Sequence, residues 1–158
     1  MSRAHVPFFC HLTVSGSIMD VRDASYLELS EAMQPDPFGD LPVSFRELGP
    51  SYRGGDPDGL AAWPVTNARA KTADAFAQPL AHTITWAGLE KLTLPVQLIT
   101  GDADLHSPPS VMRLQAQHLR NVETHVVTEA GHHPHWEQPT AWNRLLISFL
   151  RRHATRRG

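Results

Sequence analysis

The clearest hydrophobic pattern lies between Pro95 and Glu137. Pro95-Val-Gln-Leu-Ile-Thr-Gly101-Asp-Ala-Asp104 is a short apolar run ending in a glycine turn that carries acids, and Thr124-His-Val-Val-Thr-Glu-Ala-Gly-His132-His-Pro-His-Trp-Glu137 repeats the plan with a histidine. Such runs predict two strands, Val96 to Thr100 and residues 123–128, that deliver polar side chains to one edge of a sheet. Between them Pro108-Pro109 opens a helix to Leu119, because proline suits a first helical turn whose amides have no partner. After them Pro139 opens a helix in which Trp142, Leu145, Leu146, Phe149 and Leu150 form one apolar stripe of the kind that packs on a sheet. Strand, helix, strand, helix with short connections implies parallel strands with right-handed crossovers, hence an α/β fold.

The first half is less regular. Phe8 to Val14 reads as a possible buried strand followed by a Ser15-Gly16-Ser17 turn, and a poorly ordered N-terminus is the equal alternative. Tyr26 to Met33 allows a short helix through Leu27, Leu29, Ala32 and Met33, stopped by Gln34-Pro35-Asp-Pro37. Pro35 to Gly59, dense in Pro, Gly and Asp, has the composition of an irregular lid or connector. Gly59 to Ala73 favours helix, with Pro64 capping or kinking it, and Ile84, Trp86, Leu89 and Leu92 form a further apolar set. The expected division is an N-terminal segment 1–24 of unclear structure, a helical cap-like region 25–93 and a core region 94–158.

Composition narrows the class without adding chemistry. With 158 residues, 41% apolar and 19% charged, the chain is expected to be one soluble globular unit. A formal net charge of −2 gives no general electrostatic reason to bind nucleic acid or an anionic membrane. The basic tail from Arg151 reads as a solvated helix end. The single Cys10 allows no internal disulfide, and neither a secretory signal nor a membrane-spanning stretch is evident, so a cytoplasmic protein is expected.

Asp104 and His132, 28 positions apart, both fall just past the carboxyl end of a strand, where side chains converge on the ligand crevice of such sheets. A carboxylate that holds an imidazole in one tautomer leaves its other nitrogen free to take a proton, which is why acid and base recur together in acyl transfer. The stretch Leu94-Pro-Val-Gln-Leu-Ile-Thr-Gly-Asp-Ala-Asp104-Leu-His-Ser-Pro-Pro109, followed by Glu129-Ala-Gly-His132-His-Pro-His-Trp-Glu137-Gln-Pro139, closely resembles the carboxyl-terminal part of the α/β-hydrolase family. Ser51-Tyr-Arg-Gly-Gly-Asp-Pro-Asp-Gly-Leu60-Ala-Ala-Trp63 looks like the helical cap that many members carry. The resemblance covers about residues 40–153, most strongly from Leu94. It implies that Asp104 is the catalytic acid and His132 the general base, and that Glu137 and Pro139 start the last helix.

The chain departs from the family pattern at the nucleophile. No G-x-S-x-G sequence occurs, and the histidine-glycine loop that supplies oxyanion-hole amides is absent. Ser17, on the turn after Val14, is the candidate nucleophile within the chain, although it lacks the flanking glycines. Cys10 is a weaker candidate, since an apolar neighbourhood quiets a thiol. The expectation is a chain that begins after the elbow, as a truncated hydrolase or a fragment with an unrelated leader.

Other features weigh less. His132, His133 and His135 opposite Asp102, Asp104 and His106 mix the right groups for zinc, but H-H-x-H matches no familiar arrangement, and the expectation is no metal and no cofactor. Trp63 and Trp136 are candidate substrate-binding aromatics, with burial between cap and core as the alternative. Three functions remain open: hydrolysis of esters or related small organic substrates by a nucleophile-His-Asp mechanism, a non-catalytic remnant or interaction module, and metal-dependent hydrolysis at the His132/Asp104 cluster. Two parallel strands alone would leave long edges unpaired, so self-association or a complementing chain is expected unless residues 1–24 supply another strand.

Overall fold

The computed structural model describes residues 10–69 and 81–153. Three parallel strands form the sheet: β1 (Leu12–Ser15), β2 (Val96–Gly101) and β3 (Val122–Val127), in the order β1-β2-β3. Their register pairs Leu12 with Val96 and Val96 with Val122. β1 is the additional strand that the first 24 residues had to supply. It is half-buried, not buried, with Leu12 40% exposed, because it lies at the sheet edge and pairs with β2 alone among the described residues.

Every residue of β2 is buried, as expected of a central parallel strand covered on both faces. Val96 and Leu98 pack with Met112 and Leu119 on the face covered by α6 (Pro109–Gln117). Ile99 packs with Val127 and Ala130 against Ala141, Trp142 and Leu145 at the start of α8 (Pro139–His153). Gln97 points toward α8 too, and its amide is satisfied there by the Leu145 carbonyl at 3.2 Å. Helix, sheet and helix therefore form the layers of an α/β fold. The basic end of α8 is tied back to the sheet by an ion pair between Arg152 and Glu123.

Between β1 and β2 the described chain is helical. α1 (Ala24–Ala32) starts where the Asp23 carboxylate accepts the Tyr26 amide at 2.9 Å. It turns Tyr26 and Ser30 inward and leaves Leu29 40% exposed, so the leucines do not define its buried face. The Pro35–Gly59 stretch is not an irregular connector. It folds into a 3-10 turn (Phe38–Asp40), α2 (Val43–Glu47) and α3 (Pro50–Gly55), followed by α4 (Pro57–Arg69). Pro42, Pro50 and Pro57 stand at the starts of these helices, where the missing amide costs nothing. Pro64 lies inside α4, and the expected extension of this helix to Ala73 runs outside the described residues. α5 (Trp86–Leu89) is one turn, and α7 (Pro134–Glu137) is a second single turn just before α8. Among the described residues no helix is long and apolar enough to cross a membrane.

Candidate active site

The loops that follow β2 and β3 are laced together. The Asp102 carboxylate accepts the amides of Glu129 at 3.0 Å and Ala130 at 3.2 Å, while the Ala103 amide donates to the Ala130 carbonyl at 2.9 Å. Glu129 takes a positive φ of 57° to make this turn. Gly101 has no room for a side chain, since a Cβ there runs into the backbone carbonyls of Ala130 and Gly131. These contacts bring the two predicted residues together.

His132 Nδ1 lies 3.1 Å from Asp104 Oδ1 and 3.2 Å from Oδ2. An ionised carboxylate only accepts, so Nδ1 carries a proton and donates it to Asp104. The Asp104 side chain is fully buried, whereas that of His132 retains 22% exposure. Asp104 Oδ1 also accepts the amides of His106 at 2.8 Å and Ser107 at 2.9 Å, and the Thr100 hydroxyl lies 3.3 Å from Oδ2. Burial pushes the Asp104 carboxyl upward, but the hydrogen bond and charge of His132 and the two loop amides outweigh it, so its pKa is held below the usual range.

Gly16 lets the end of β1 reach the histidine. It has φ +55°, and a Cβ there would stand 2.8 Å from the His132 carbonyl oxygen and 3.2 Å from Nδ1. A cleft of about 250 Å³ opens at this point, lined by Gly16, Ser17, Ile18, Gln34, His106 and His132. Ser17 therefore shares a cleft with His132. Its hydroxyl accepts the Met19 amide at 3.0 Å, and its carbonyl accepts Gln115 Nε2 at 2.7 Å. Cys10 is exposed near the start of β1.

The helices that precede β2 are fastened to the histidine loop by two glutamates. Glu137, at the end of α7, accepts the amides of Gly49 at 2.6 Å, Gly131 at 2.9 Å and His133 at 3.3 Å. Glu47, at the end of α2, accepts the His132 amide through its carbonyl at 2.9 Å. Its carboxylate accepts the Trp63 indole at 2.9 Å and the Asn67 amide at 2.8 Å. Trp63 is 6% exposed and Trp136 43% exposed, their rings 5.6 Å apart beside His133 and outside the set that lines the cleft.

His106, His132, His133 and His135 form a run of neighbouring rings, with centroids 4.4, 4.9 and 5.5 Å apart in turn. Burial, followed by the charge of His132, lowers the pKa of His133 to about 4 and lowers those of His106 and His135. Among the described residues no three His, Cys, Asp or Glu side chains converge as a metal-holding group. Sequence reasoning missed Glu47, and singled out His106 only as a possible metal ligand and not as a partner of Asp104. Glu47 lies in a stretch without periodicity, whereas His106 stands two residues past a predicted acid, a position that a search for loop partners of Asp104 would have reached.

No protein-family model matches the chain. Over 87% of its length, and 55% of the other chain's, the structure superposes on an alpha/beta hydrolase enzyme from a Medee basin deep-sea metagenome library, with TM-score 0.59 and 14% identity. Over 92% of its length it superposes on a thermophilic esterase from Thermogutta terrifontis, with TM-score 0.69 and 21% identity. The chain has part of the α/β-hydrolase fold. It covers 57% of the esterase chain, so the hydrolase fold is present here over little more than half of that protein's length. In sequence, 73 residues, 44% of this chain, are 32% identical to a (R)-3-hydroxydecanoyl-ACP:CoA transacylase of Pseudomonas aeruginosa, and they span 23% of that relative.

Proposed function

We propose that this chain supplies the acid and the base of a nucleophile-His-Asp site that transfers acyl groups from esters or related small organic substrates. The observation that carries the reading is the Nδ1 contact of His132 with a fully buried Asp104. The carboxylate fixes the tautomer and orients the ring, so that Nε2 takes a proton from a nucleophile as it attacks a carbonyl and returns it to the leaving group. The positive charge that forms on the imidazole is balanced by Asp104 across that same hydrogen bond. An esterase and a transacylase among the similar proteins both transfer acyl groups, which supports this class of reaction.

Two sources of nucleophile fit the cleft. Ser17 lines it beside His132, and its hydroxyl must leave the Met19 amide to attack. A complementing chain or segment delivered against β1 is the other. Trp63 and Trp136 are proposed to limit the cap side of the substrate space, and the site is expected to work in a soluble, cytoplasmic setting.

Labelling with a fluorophosphonate tests the proposal. Labelling of the chain alone that Ser17→Ala and His132→Ala each abolish identifies Ser17 as nucleophile. Labelling that appears only with a complementing chain, and still needs His132, identifies the second source. Labelling unaffected by His132→Ala, or none under either condition, rejects the reading in favour of a non-catalytic module.

A further inference from the structure

His106 touches both members of the proposed acid-base pair, by different parts of the residue. Its backbone amide donates to Asp104 Oδ1 at 2.8 Å. Its ring lies with centroid 4.4 Å from that of His132, tilted by 38°, and the Phe38 ring meets it edge-on at 4.8 Å. The ring nitrogen Nε2 is buried with no hydrogen-bond partner among the described residues. An unsatisfied buried polar atom is destabilising, so a phenyl ring of similar shape would fit this place at lower cost. Hydrogen bonding at that nitrogen does not explain why the ring sits there.

We propose that His106 is a positioning residue whose ring, packed against the imidazole of His132, holds that imidazole in the orientation in which Nδ1 meets Asp104. Gly16 approaches the Nδ1 edge of the His132 ring and the His133 ring meets it edge-on at 4.9 Å, and the hydrogen bond to Asp104 alone does not fix the ring against swinging about the Nδ1–O direction. The His106 ring, tilted by 38° against the imidazole, limits that swing, and both rings line the same cleft. Burial, then the charge of His132, lowers the pKa of His106 against the pull of Asp104 and Glu47, with a smaller push from Arg46 in the same direction.

The inference rests on reading Asp104 and His132 as an acid-base pair, and its test needs no turnover. Any side chain at position 106 keeps the amide that binds Asp104, so side-chain variants isolate the ring. In the full chain labelled with 15N at histidine, the His132 Nδ1 proton held by Asp104 is expected as a sharp downfield resonance at neutral pH. His106→Phe should retain it, with a thermal midpoint equal to or above that of the parent. His106→Gln and His106→Ala should broaden or lose it while the circular dichroism of the folded state is unchanged. The inference is overturned by a resonance that stays sharp in His106→Gln, or by its loss in His106→Phe. Should His106→Ala not fold, the Gln and Phe variants decide. An absence of fluorophosphonate labelling rejects the catalytic proposal and leaves this measurement standing.

Discussion

Glu137 Oε2 lies 2.6 Å from the amide nitrogen of Gly49, a contact that joins positions 88 residues apart. The other oxygen of this buried carboxylate holds Gly131 and His133, so one side chain ties the α2–α3 junction to both flanks of His132. Glu137→Ala leaves these buried amides unpaired, and each such loss costs about 1–3 kcal/mol. Chemical denaturation should therefore show a loss of several kcal/mol for Glu137→Ala. Glu137→Gln, which keeps one accepting oxygen, should lose less, and equal losses would show that the carboxylate is not the fastening.

Glycine substitutions separate close approach from mere backbone freedom. At Gly101 a Cβ meets backbone carbonyls of the histidine loop, which cannot rotate away as a side chain can. Gly101→Ala should destabilise the fold and disturb the Asp104–His132 contact together. Gly54 lies in α3 with nothing near its missing Cβ, so Gly54→Ala should be neutral or stabilising by up to about 1 kcal/mol. Thermal midpoints of the two variants provide the comparison, and similar losses at both sites would contradict the steric argument.

The sequence disclosed those parts of the site whose cause is local. Asp104 and His132 each follow a strand and a glycine turn, and parallel strands bring such ends to one edge, so both the pair and its meeting were readable. Ser17 was readable as a turn residue and stands in the same cleft. The helices between Pro35 and Gly59 were not, because they are too short for an apolar period and are started by prolines that in isolation signal a connector. The inward face of α1 was not readable for a different reason. Tyr26 is buried because its hydroxyl donates to the Ile18 carbonyl at 2.9 Å and lies 2.8 Å from Gln115 Nε2, partners that no local pattern reveals. Glu47 likewise owes its role to Trp63, Asn67 and His132, which other segments bring to it.

The pKa of His133 makes the fold sensitive to mild acid. In the unfolded chain a histidine titrates near 6.5, and in the folded protein His133 titrates at about 4 because burial, then the charge of His132, disfavours the proton. A depressed folded value means that the unfolded state binds the proton first, so this stability is fully present above pH 6.5 and lost as pH falls toward 4. Thermal midpoints measured across that window should fall more steeply for the parent than for His133→Gln, which cannot titrate. Parallel curves would show that His133 is not the group responsible.

Asp104→Asn should separate catalysis from folding. The asparagine oxygen can still accept the His106 and Ser107 amides that now meet Oδ1. Its NH2 group then replaces Oδ2, where it donates toward His132 Nδ1 and drives the ring proton to Nε2. The base is thereby converted into a donor at the atom that should receive a proton, and the rate of nucleophile labelling or turnover should fall by about 10²–10⁴-fold. Stability at neutral pH should fall far less than in Asp104→Ala, which abandons both amides. Acid titration gives a second readout. Because the folded pKa of Asp104 is depressed, its contribution is present above the ordinary carboxylate pKa of about 3.9 and disappears as pH falls through the folded value. The Asn variant should therefore lose less stability than the parent below about pH 4. An Asn variant with undiminished labelling would remove Asp104 from the proposed mechanism, whatever its effect on acid stability.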